Sequence, residues 1–263
     1  PCSFGEISCV IEHRGNGLAY YQFPNLLAFS EIQHGVFTRK GGCSPAPFSS
    51  LNVSLGVGDQ ERRVERNRQM LSGCFGEQNL VFLNQVHGSH VEVFSRDDDP
   101  IDSSTLPVGD AMVTDRKHAV LVIQVADCQA ILLYDPVKHV IAAIHSGWRG
   151  SIGNIIGETI GVMTARFSCL AEDIVAGISP SLGPCCAEFV NYRDEIPSDL
   201  WGYRDESDHF DFWSISCHQL CDAGVDEDHI HISRICTRCD TNRFFSYRGE
   251  GITGRFAVLI GLA

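Results

Sequence analysis

The amino-acid sequence predicts a mixed α/β fold, and three observations lead to that prediction. Short apolar runs rich in β-branched residues recur between turn residues, which is typical of many short strands. Other segments carry apolar residues three or four positions apart, the spacing of an amphipathic helix. Several strand-like runs are apolar at successive positions, so we expect helices to cover the faces of the predicted sheets.

The predicted strands are apolar runs that end at polar or turn-forming residues. The clearest six cover residues 80–86, 119–126, 130–134, 140–145, 174–178 and 255–260. The segment 135–139 begins with an Asp-Pro pair and is predicted to be a turn between two of these strands.

The predicted helices are recognised by their ends and by one apolar stripe. Asp59 is a good N-cap for the first helix, and Gly73 is a typical stop. The second helix has isoleucine and methionine side chains at helical spacing along one face. The three predicted helices cover residues 60–72, 151–167 and 214–223.

Length and charge limit the classes of protein and of partner. A chain of 263 residues without repeats or a flexible linker is predicted to form one domain, residues 1–263. Its formal net charge is −13 and it contains no basic run, which argues against nucleic acid and anionic membranes as partners. The sequence carries no signal for an oligomeric state.

The cysteine content bears on the cellular compartment. The chain has 12 cysteines, yet residues 1–6 lack the basic start and apolar stretch of a signal peptide. No apolar run approaches the length that spans a bilayer. Reduced thiols and metal ligation are therefore expected rather than disulfide bonds, and the predicted location is the cytoplasm.

Three potential metal ligands follow predicted strands directly. His87, Cys128 and His145 each lie where a strand-like run gives way to a turn, and such positions hold side chains rigidly in crevices. Two imidazoles and one thiolate suit zinc, and three protein ligands leave a fourth position for water. Bound zinc would bring the pKa of that water to roughly 7. The spacing itself matches no short metal-binding motif.

An anion pocket is predicted next to these ligands. The turn 147–150 precedes the predicted helix 151–167, and free backbone N–H groups at a helix N-terminus attract anions. Arg149 adds a full positive charge to this turn. The alternative is that Arg149 pairs with an acidic neighbour.

Several short motifs resemble those of one known family. They occur in the same order along residues 34–263, and their joint occurrence is more specific than any one of them. The motifs are HGVFTRKGG (34–42), SLN (50–52), VGD (57–59), NQVHG (84–88), GDAMVTD (109–115), ADC (126–128), HSGWRG (145–150), SLGPCC (181–186), CT (236–237), FFSYR (244–248) and TGR (253–255). On these residues the chain resembles the YfiH-like laccase-domain family, also described as polyphenol oxidases or multifunctional purine nucleoside phosphorylases.

The resemblance implies a fold, a metal and a chemistry. The implied fold is an α/β/β/α sandwich with mixed β-sheets, and the implied zinc ligands are His87, Cys128 and His145. Copper is the alternative metal, because it binds nitrogen and sulfur donors tightly. The implied reactions are phosphorolysis of adenosine, inosine, guanosine or methylthioadenosine, and deamination of adenosine. The expected partners are therefore a purine nucleoside and phosphate.

Candidate residues for substrate and proton transfer come from the same motifs. Cys128 is itself a catalytic candidate, and the acid–base candidates are its neighbour Asp127 and His34. Phe244 or Phe245 could stack on a purine. The substrate-binding candidates are Arg39, Asn52, Arg149, Phe244 and Arg248.

Other functions remain open at the level of sequence. A Cys–His–His set also suits a cysteine hydrolase that edits peptidoglycan precursors, with Cys128 as nucleophile. Copper-dependent phenol oxidation and a metal-dependent binding module are further alternatives. A multicopper site needs several His-x-His pairs, whereas the chain has one, at 229–231. A second zinc site is suggested by two close cysteine pairs, Cys217 with Cys221 and Cys236 with Cys239.

Overall fold

The structure is a computed structural model that describes residues 10–15, 17–76, 78–98 and 106–263. Residues 1–6, on which the expectation about a signal peptide depends, lie outside the described residues. Within the described residues, no helix has the length and apolar character needed to cross a membrane.

In the part of the chain that the structure describes, twelve strands form two six-stranded sheets. The strands are β1 (Ile11–Gly15), β2 (Leu18–Gln22), β3 (Ile32–Phe37), β4 (Asn79–Val81), β5 (Val91–Phe94), β6 (Ala111–Thr114), β7 (Ala119–Val125), β8 (Gln129–Asp135), β9 (Val140–Ser146), β10 (Val175–Ile178), β11 (Ile230–Ile232) and β12 (Phe256–Leu262). The first sheet has the order β1-β2-β3-β12-β7-β4, and the second has the order β11-β10-β8-β9-β6-β5.

Both sheets are mixed. Most neighbours are antiparallel, while β4 with β7, β5 with β6, and β10 with β11 are parallel pairs. The chain passes from the first sheet to the second between β7 and β8, at residues 126–128. This crossover contains Cys128.

Seven α-helices accompany the sheets within the described residues. They are α1 (Pro24–Leu27), α2 (Glu61–Cys74), α3 (Trp148–Ile152), α4 (Ile155–Phe167), α5 (Tyr192–Glu195), α6 (Phe212–Asp222) and α7 (Tyr247–Glu250). Short 3-10 helices span Leu55–Val57, Ala171–Asp173, Ser198–Tyr203 and Glu227–His229.

Successive side chains along a strand point to opposite faces of its sheet, and this alternation generates the layers of the fold. On β8, Leu132 faces the core between the two sheets, whereas Leu133 faces the core beneath α4 and α6. On β7, Leu121 points between the sheets, and Val122 packs in the same cluster as Leu71 of α2. Helix, sheet, sheet and helix therefore stack in that order, which confirms the α/β/β/α sandwich with mixed sheets.

The structure differs from the predicted elements at two places that matter for the site. The strand expected over residues 80–86 ends at Val81, so His87 lies in a loop rather than at a strand end. The helix expected over residues 151–167 is two helices, because Asn154 adopts the left-handed region (φ 49°) and caps α4 through its side chain. Arg149 and Ser151 consequently lie within α3, not in a turn before a helix.

Candidate metal centre in an arginine-lined cleft

His87, Cys128 and His145 come together at one end of the two sheets. One nitrogen or sulfur atom from each side chain lies within 4.8 Å of the others. The Cys128 Sγ atom is 3.8 Å from His87 Nε2, and the two imidazole rings are 4.8 Å apart at 76°. Bonds of about 2.0 Å to nitrogen and 2.3 Å to sulfur in a tetrahedron would place such atoms about 3.6 Å apart. The donor set therefore fits a single metal ion.

Strand pairing brings two of the ligands together. Cys128 directly precedes β8, and β8 pairs with β9 so that Ala130 lies opposite His145 and Gln129 opposite Ser146. Gly147 follows on the same side, where an added Cβ would lie 2.9 Å from His87 Cδ2 and 3.1 Å from Cys128 Sγ. Only glycine leaves room for the ligands at this position.

Asp110 orients the two histidines. Its Oδ1 atom is 2.8 Å from His145 Nδ1 and accepts the backbone N–H of His87 at 2.9 Å. Its Oδ2 atom accepts the backbone N–H of Gly88 at 2.7 Å and that of Val86 at 3.3 Å. A carboxylate on Nδ1 directs the remaining ring nitrogen, Nε2, towards Cys128, an arrangement common in metal sites. Asp110 is fully buried, so these contacts compensate its desolvation.

The electrostatics of the metal-free cluster favour a thiolate and an imidazolium. Desolvation alone would raise the pKa of Cys128, but the charge and hydrogen bonds of His145 and His87 lower it to about 6. Desolvation would lower the pKa of His145, but the Cys128 thiolate and Asp110 raise it to about 9. Burial also opposes ionisation of Asp110, yet its hydrogen bonds from His145 and Gly88 bring its pKa below the usual value. The cluster thus holds a thiolate at neutral pH.

The three ligands open into a cleft of about 780 Å³, a size that suits a small organic ligand. Leu83, Leu182, Phe189 and Phe212 contribute apolar walls. Four arginines also line the cleft, and among the described residues none of them forms an ion pair with a carboxylate. They are Arg68, Arg149, Arg248 and Arg255. The cleft is therefore rich in positive charge, although the whole chain has a formal net charge of −13.

The arginines are held by different contacts. Arg149 lies over the Trp148 ring, with its Cζ atom 4.2 Å from the ring centroid. Arg248 donates to the carbonyl of Glu188, and Arg255 donates to the carbonyls of two residues that precede it. Arg68 donates to the carbonyl of Val53. Backbone carbonyls and aromatic rings thus hold these guanidinium groups in place of direct carboxylate ion pairs, although Asp127 and the Cys128 thiolate interact favourably with the charge of Arg255.

Asp127, the acid–base candidate next to Cys128, lines the cleft. Its Oδ1 atom accepts the hydroxyl of Thr237 at 2.6 Å, and its Oδ2 atom accepts the backbone N–H of Arg248 at 2.6 Å. Its φ of 88° is unusual for a residue other than glycine and marks a constrained turn beside the ligand. Both carboxylate oxygens are therefore already engaged in fixing this turn.

Three predicted substrate-binding residues do not line the cleft. Arg39 pairs with Glu250 at 2.8 Å and stacks on the Phe245 ring. Asn52 is fully buried and bonds to the loop that contains Ser54. Phe244, like Phe245, belongs to the core between the sheets, so neither ring is available to stack on a ligand. Within their motifs these three residues serve the packing and hydrogen bonding of the fold.

His34, the second acid–base candidate, is not brought to the cleft. It is buried on β3, stacks on Phe23, and its Nε2 atom accepts the backbone N–H of Phe23 at 2.8 Å. Burial lowers its pKa to about 4, so it is neutral at physiological pH. Its role in the structure is to satisfy a buried backbone donor.

Replacement of His34 by alanine is expected to reduce stability and to leave metal content and turnover unchanged. Without the His34 imidazole, the buried Phe23 N–H group has lost its hydrogen-bond acceptor. This loss costs about 1–3 kcal/mol of unfolding free energy. Denaturant unfolding and metal analysis of His34→Ala test this, with exposed His90→Ala as the matched control. A selective loss of turnover in stable His34→Ala protein would restore the catalytic role.

Sequence reasoning missed Asp110, Arg68 and Arg255. Asp110 is part of the GDAMVTD motif, but nothing in that motif alone indicates a contact with two histidines. Arg68 reaches the cleft from α2, and Arg255 reaches it from the residue before β12. Their convergence depends on the packing of distant elements. The His-x-His pair at 229–231 has no place among the residues that line the cleft.

The fold and the site together define an α/β/β/α protein with a His–Cys–His cluster in a cationic cleft. The chain belongs to the family described as multi-copper polyphenol oxidoreductase laccase, whose model matches residues 33–263. Purine nucleoside phosphorylase YlmD of Geobacillus stearothermophilus is 32% identical over 249 residues, which cover 89% of this chain and 91% of that protein. A relative from Bacteroides thetaiotaomicron, named purine nucleoside phosphorylase, is 31% identical and covers 88% of this chain and 91% of its own length.

Solved structures agree with these matches. The crystal structure of YlmD from Geobacillus stearothermophilus has a TM-score of 0.85 at 31% identity, over 97% of this chain and 99% of that chain. The structure of the Bacillus licheniformis hypothetical protein YfiH has a TM-score of 0.83 at 26% identity, over 95% and 97% of the two chains. The match extends along nearly the entire sandwich.

Proposed function

We propose that this chain is a metal-dependent purine nucleoside phosphorylase that also deaminates adenosine. The observation that carries the proposal is the position of the His–Cys–His cluster inside a cleft lined by four arginines. The names of the two relatives support the phosphorylase part of the proposal. Adenosine, inosine, guanosine and methylthioadenosine are the proposed nucleosides, phosphate is the second substrate, and the cytoplasm is the proposed location.

The proposed metal is zinc, with copper as the alternative, held by His87, Cys128 and His145. When bound, it supplies Lewis acidity to a substrate or water oxygen in the cleft. Asp110 keeps His145 in the tautomer that presents Nε2, and Gly147 leaves space for the three donors.

In phosphorolysis, a phosphate oxygen forms a bond to ribose C1′ while the bond from C1′ to the purine nitrogen breaks. The bonding electron pair and a proton pass to the purine, and ribose 1-phosphate remains. Arg149 is proposed to hold the phosphate, since its guanidinium has no carboxylate partner among the described residues and lies beside the ligand strand β9. In deamination, water replaces the amino group at C6 and ammonia leaves.

Asp127 and Arg248 act as a pair in the proposed site. The backbone N–H of Arg248 donates to Asp127, and the Arg248 guanidinium donates to the Glu188 carbonyl on another part of the rim. We assign Arg248 to substrate binding and Asp127 to positioning of the turn beside Cys128. Asp127 remains the acid–base candidate nearest the metal ligands.

Replacement of Arg149 by alanine is expected to impair phosphorolysis more than deamination, by about 10-fold or more, because only phosphorolysis needs bound phosphate. Chromatography of adenosine reactions with and without phosphate measures adenine and inosine separately. Exposed Arg166→Ala on α4 is the matched charge control. Equal losses in both reactions would show that Arg149 does not bind phosphate.

The nucleoside function as a whole is tested with the metal-loaded wild-type protein. If this protein gives neither adenine nor inosine, the nucleoside function is refuted.

A cysteine hydrolase that edits peptidoglycan precursors is the second candidate function. The observation that favours it is the lowered pKa of Cys128 beside His145, the arrangement of an activated nucleophile. A hydrolase of this kind keeps its activity after chelation, whereas the proposed phosphorylase loses it.

A further inference from the structure

Four cysteines outside the cleft form a second compact group of metal-type donors. The Sγ atoms of Cys185, Cys186, Cys236 and Cys239 all lie within 4.8 Å of one another. The Cys239 Sγ atom is 3.6 Å from Cys185 Sγ and also 3.6 Å from Cys186 Sγ. Four sulfur atoms bound to one zinc ion at about 2.3 Å lie about 3.8 Å apart in a tetrahedron. The thiols thus have the spacing of a single tetrahedral site.

The sequence indicates a different set of four, and the structure corrects it. Cys217 and Cys221 lie on α6, and Cys217 is buried in the core between that helix and the second sheet. The vicinal pair Cys185 and Cys186 takes their place. It is brought to the Cys-x-x-Cys pair by a parallel bridge between Ser181 and Cys236.

The local geometry favours a metal over a disulfide. Cys239 is equally close to two thiols, whereas a disulfide would join it to only one. Cys236 Sγ accepts the backbone N–H of Gly183 at 3.3 Å, and such a donor suits the thiolate that binds metal. Both cysteine pairs lie in turns. Turns of this kind commonly supply structural zinc ligands.

We propose that Cys185, Cys186, Cys236 and Cys239 bind a structural zinc ion that is separate from the His–Cys–His centre. Four sulfur donors in a tetrahedron leave no open position, so this site holds metal without turning over substrate. The proposal does not depend on the nucleoside activity.

The second ion would brace the catalytic cleft. The backbone N–H of Leu182, just before the first cysteine turn, donates to the Asp127 carbonyl at 2.8 Å. Thr237, within the second turn, donates to the Asp127 carboxylate. A metal that links these two turns therefore fixes Asp127 and the adjacent ligand Cys128 from both sides.

Native alkylation tests the site in the wild-type protein. Cys185 and Cys239 are exposed, as is Cys43, which is not part of the four-cysteine group and serves as the matched control. We expect iodoacetamide to label Cys43 in every sample, and to label Cys185 and Cys239 only after chelation. Equal labelling of all three in metal-loaded protein would overturn the proposal. A disulfide among the four cysteines, detected by peptide mapping, would also overturn it.

Metal stoichiometry separates the two sites. We expect two zinc ions per wild-type chain, one in His87→Ala and one in Cys239→Ser, with Cys43→Ser unchanged. X-ray absorption of the zinc in His87→Ala should show sulfur ligands only. If His87→Ala retains no zinc, or a zinc with nitrogen ligands, the four-cysteine site does not exist. If the nucleoside activity is absent but His87→Ala keeps a sulfur-ligated zinc, the structural site stands and only the proposed function fails.

Discussion

Removal of metal from the His–Cys–His centre is expected to abolish phosphorolysis and to expose Cys128 to alkylation. Lewis-acid stabilisation by a bound metal contributes several kcal/mol to a transition state, which corresponds to about 10³-fold in rate or more. A metal-bound thiolate reacts poorly with iodoacetamide, while the free thiolate reacts well. Chelated protein should therefore lose adenine production and gain label at Cys128 together.

The pH dependence of that labelling follows from the cluster. In metal-free protein the pKa of Cys128 is lowered to about 6, so the reactive thiolate forms as pH rises through about 6. Labelling of Cys128 in the chelated protein should be half-maximal at that pH, and the exposed Cys43 serves as the accessible reference thiol in the same samples. Cys128→Ala and His145→Ala should each lose the activity without chelation.

A contrary result has a clear meaning. Strong labelling of Cys128 in metal-loaded protein, with loss of an activity that survives chelation, would make Cys128 a nucleophile. The cysteine hydrolase would then replace the phosphorylase as the best account of the site.

Local sequence pattern was sufficient for most of the fold and for the placement of two of the three candidate metal ligands. The apolar runs around Cys128 and His145 form β7, β8 and β9, and the antiparallel register of β8 with β9 brings the two residues together. The alternation of side chains along these strands also separates the three cores that lie between the four packed layers. Period-2 patterns identify such strands because each face meets a different core.

Long-range contacts were not predictable from such patterns. His87 reaches the site through a loop held by buried Asp110, not through a strand that ends at the site. Arg68 and Arg255 both line the cleft although they are far apart in sequence. The four-cysteine group depends on a bridge between two loops, whereas sequence proximity favoured Cys221 on a helix. Periodicity carries no information about which loops meet.

Replacement of Asp110 by asparagine is the sharpest test of how the centre is organised. Both carboxylate oxygens of Asp110 accept N–H donors: Oδ1 from His87 and His145, Oδ2 from Gly88 and Val86. An asparagine amide has one NH₂ group, and in either orientation that group faces N–H donors. The variant therefore loses the hydrogen bonds at the position that the NH₂ group takes. It also lacks the negative charge of the carboxylate.

We expect Asp110→Asn to weaken metal affinity and activity by about 10- to 100-fold, the usual effect of losing a residue that orients a ligand. Competition with a chromophoric chelator measures the affinity. Asp135→Asn is the matched control, because Asp135 is also fully buried and accepts two backbone N–H groups, from Val137 and Lys138, away from the ligands. Asparagine can keep both of these hydrogen bonds through Oδ1, so this substitution removes a buried charge and should leave metal affinity unchanged. Equal losses in the two variants would show that Asp110 supports the fold in general, and unchanged affinity in Asp110→Asn would show that the histidines are held in place without it.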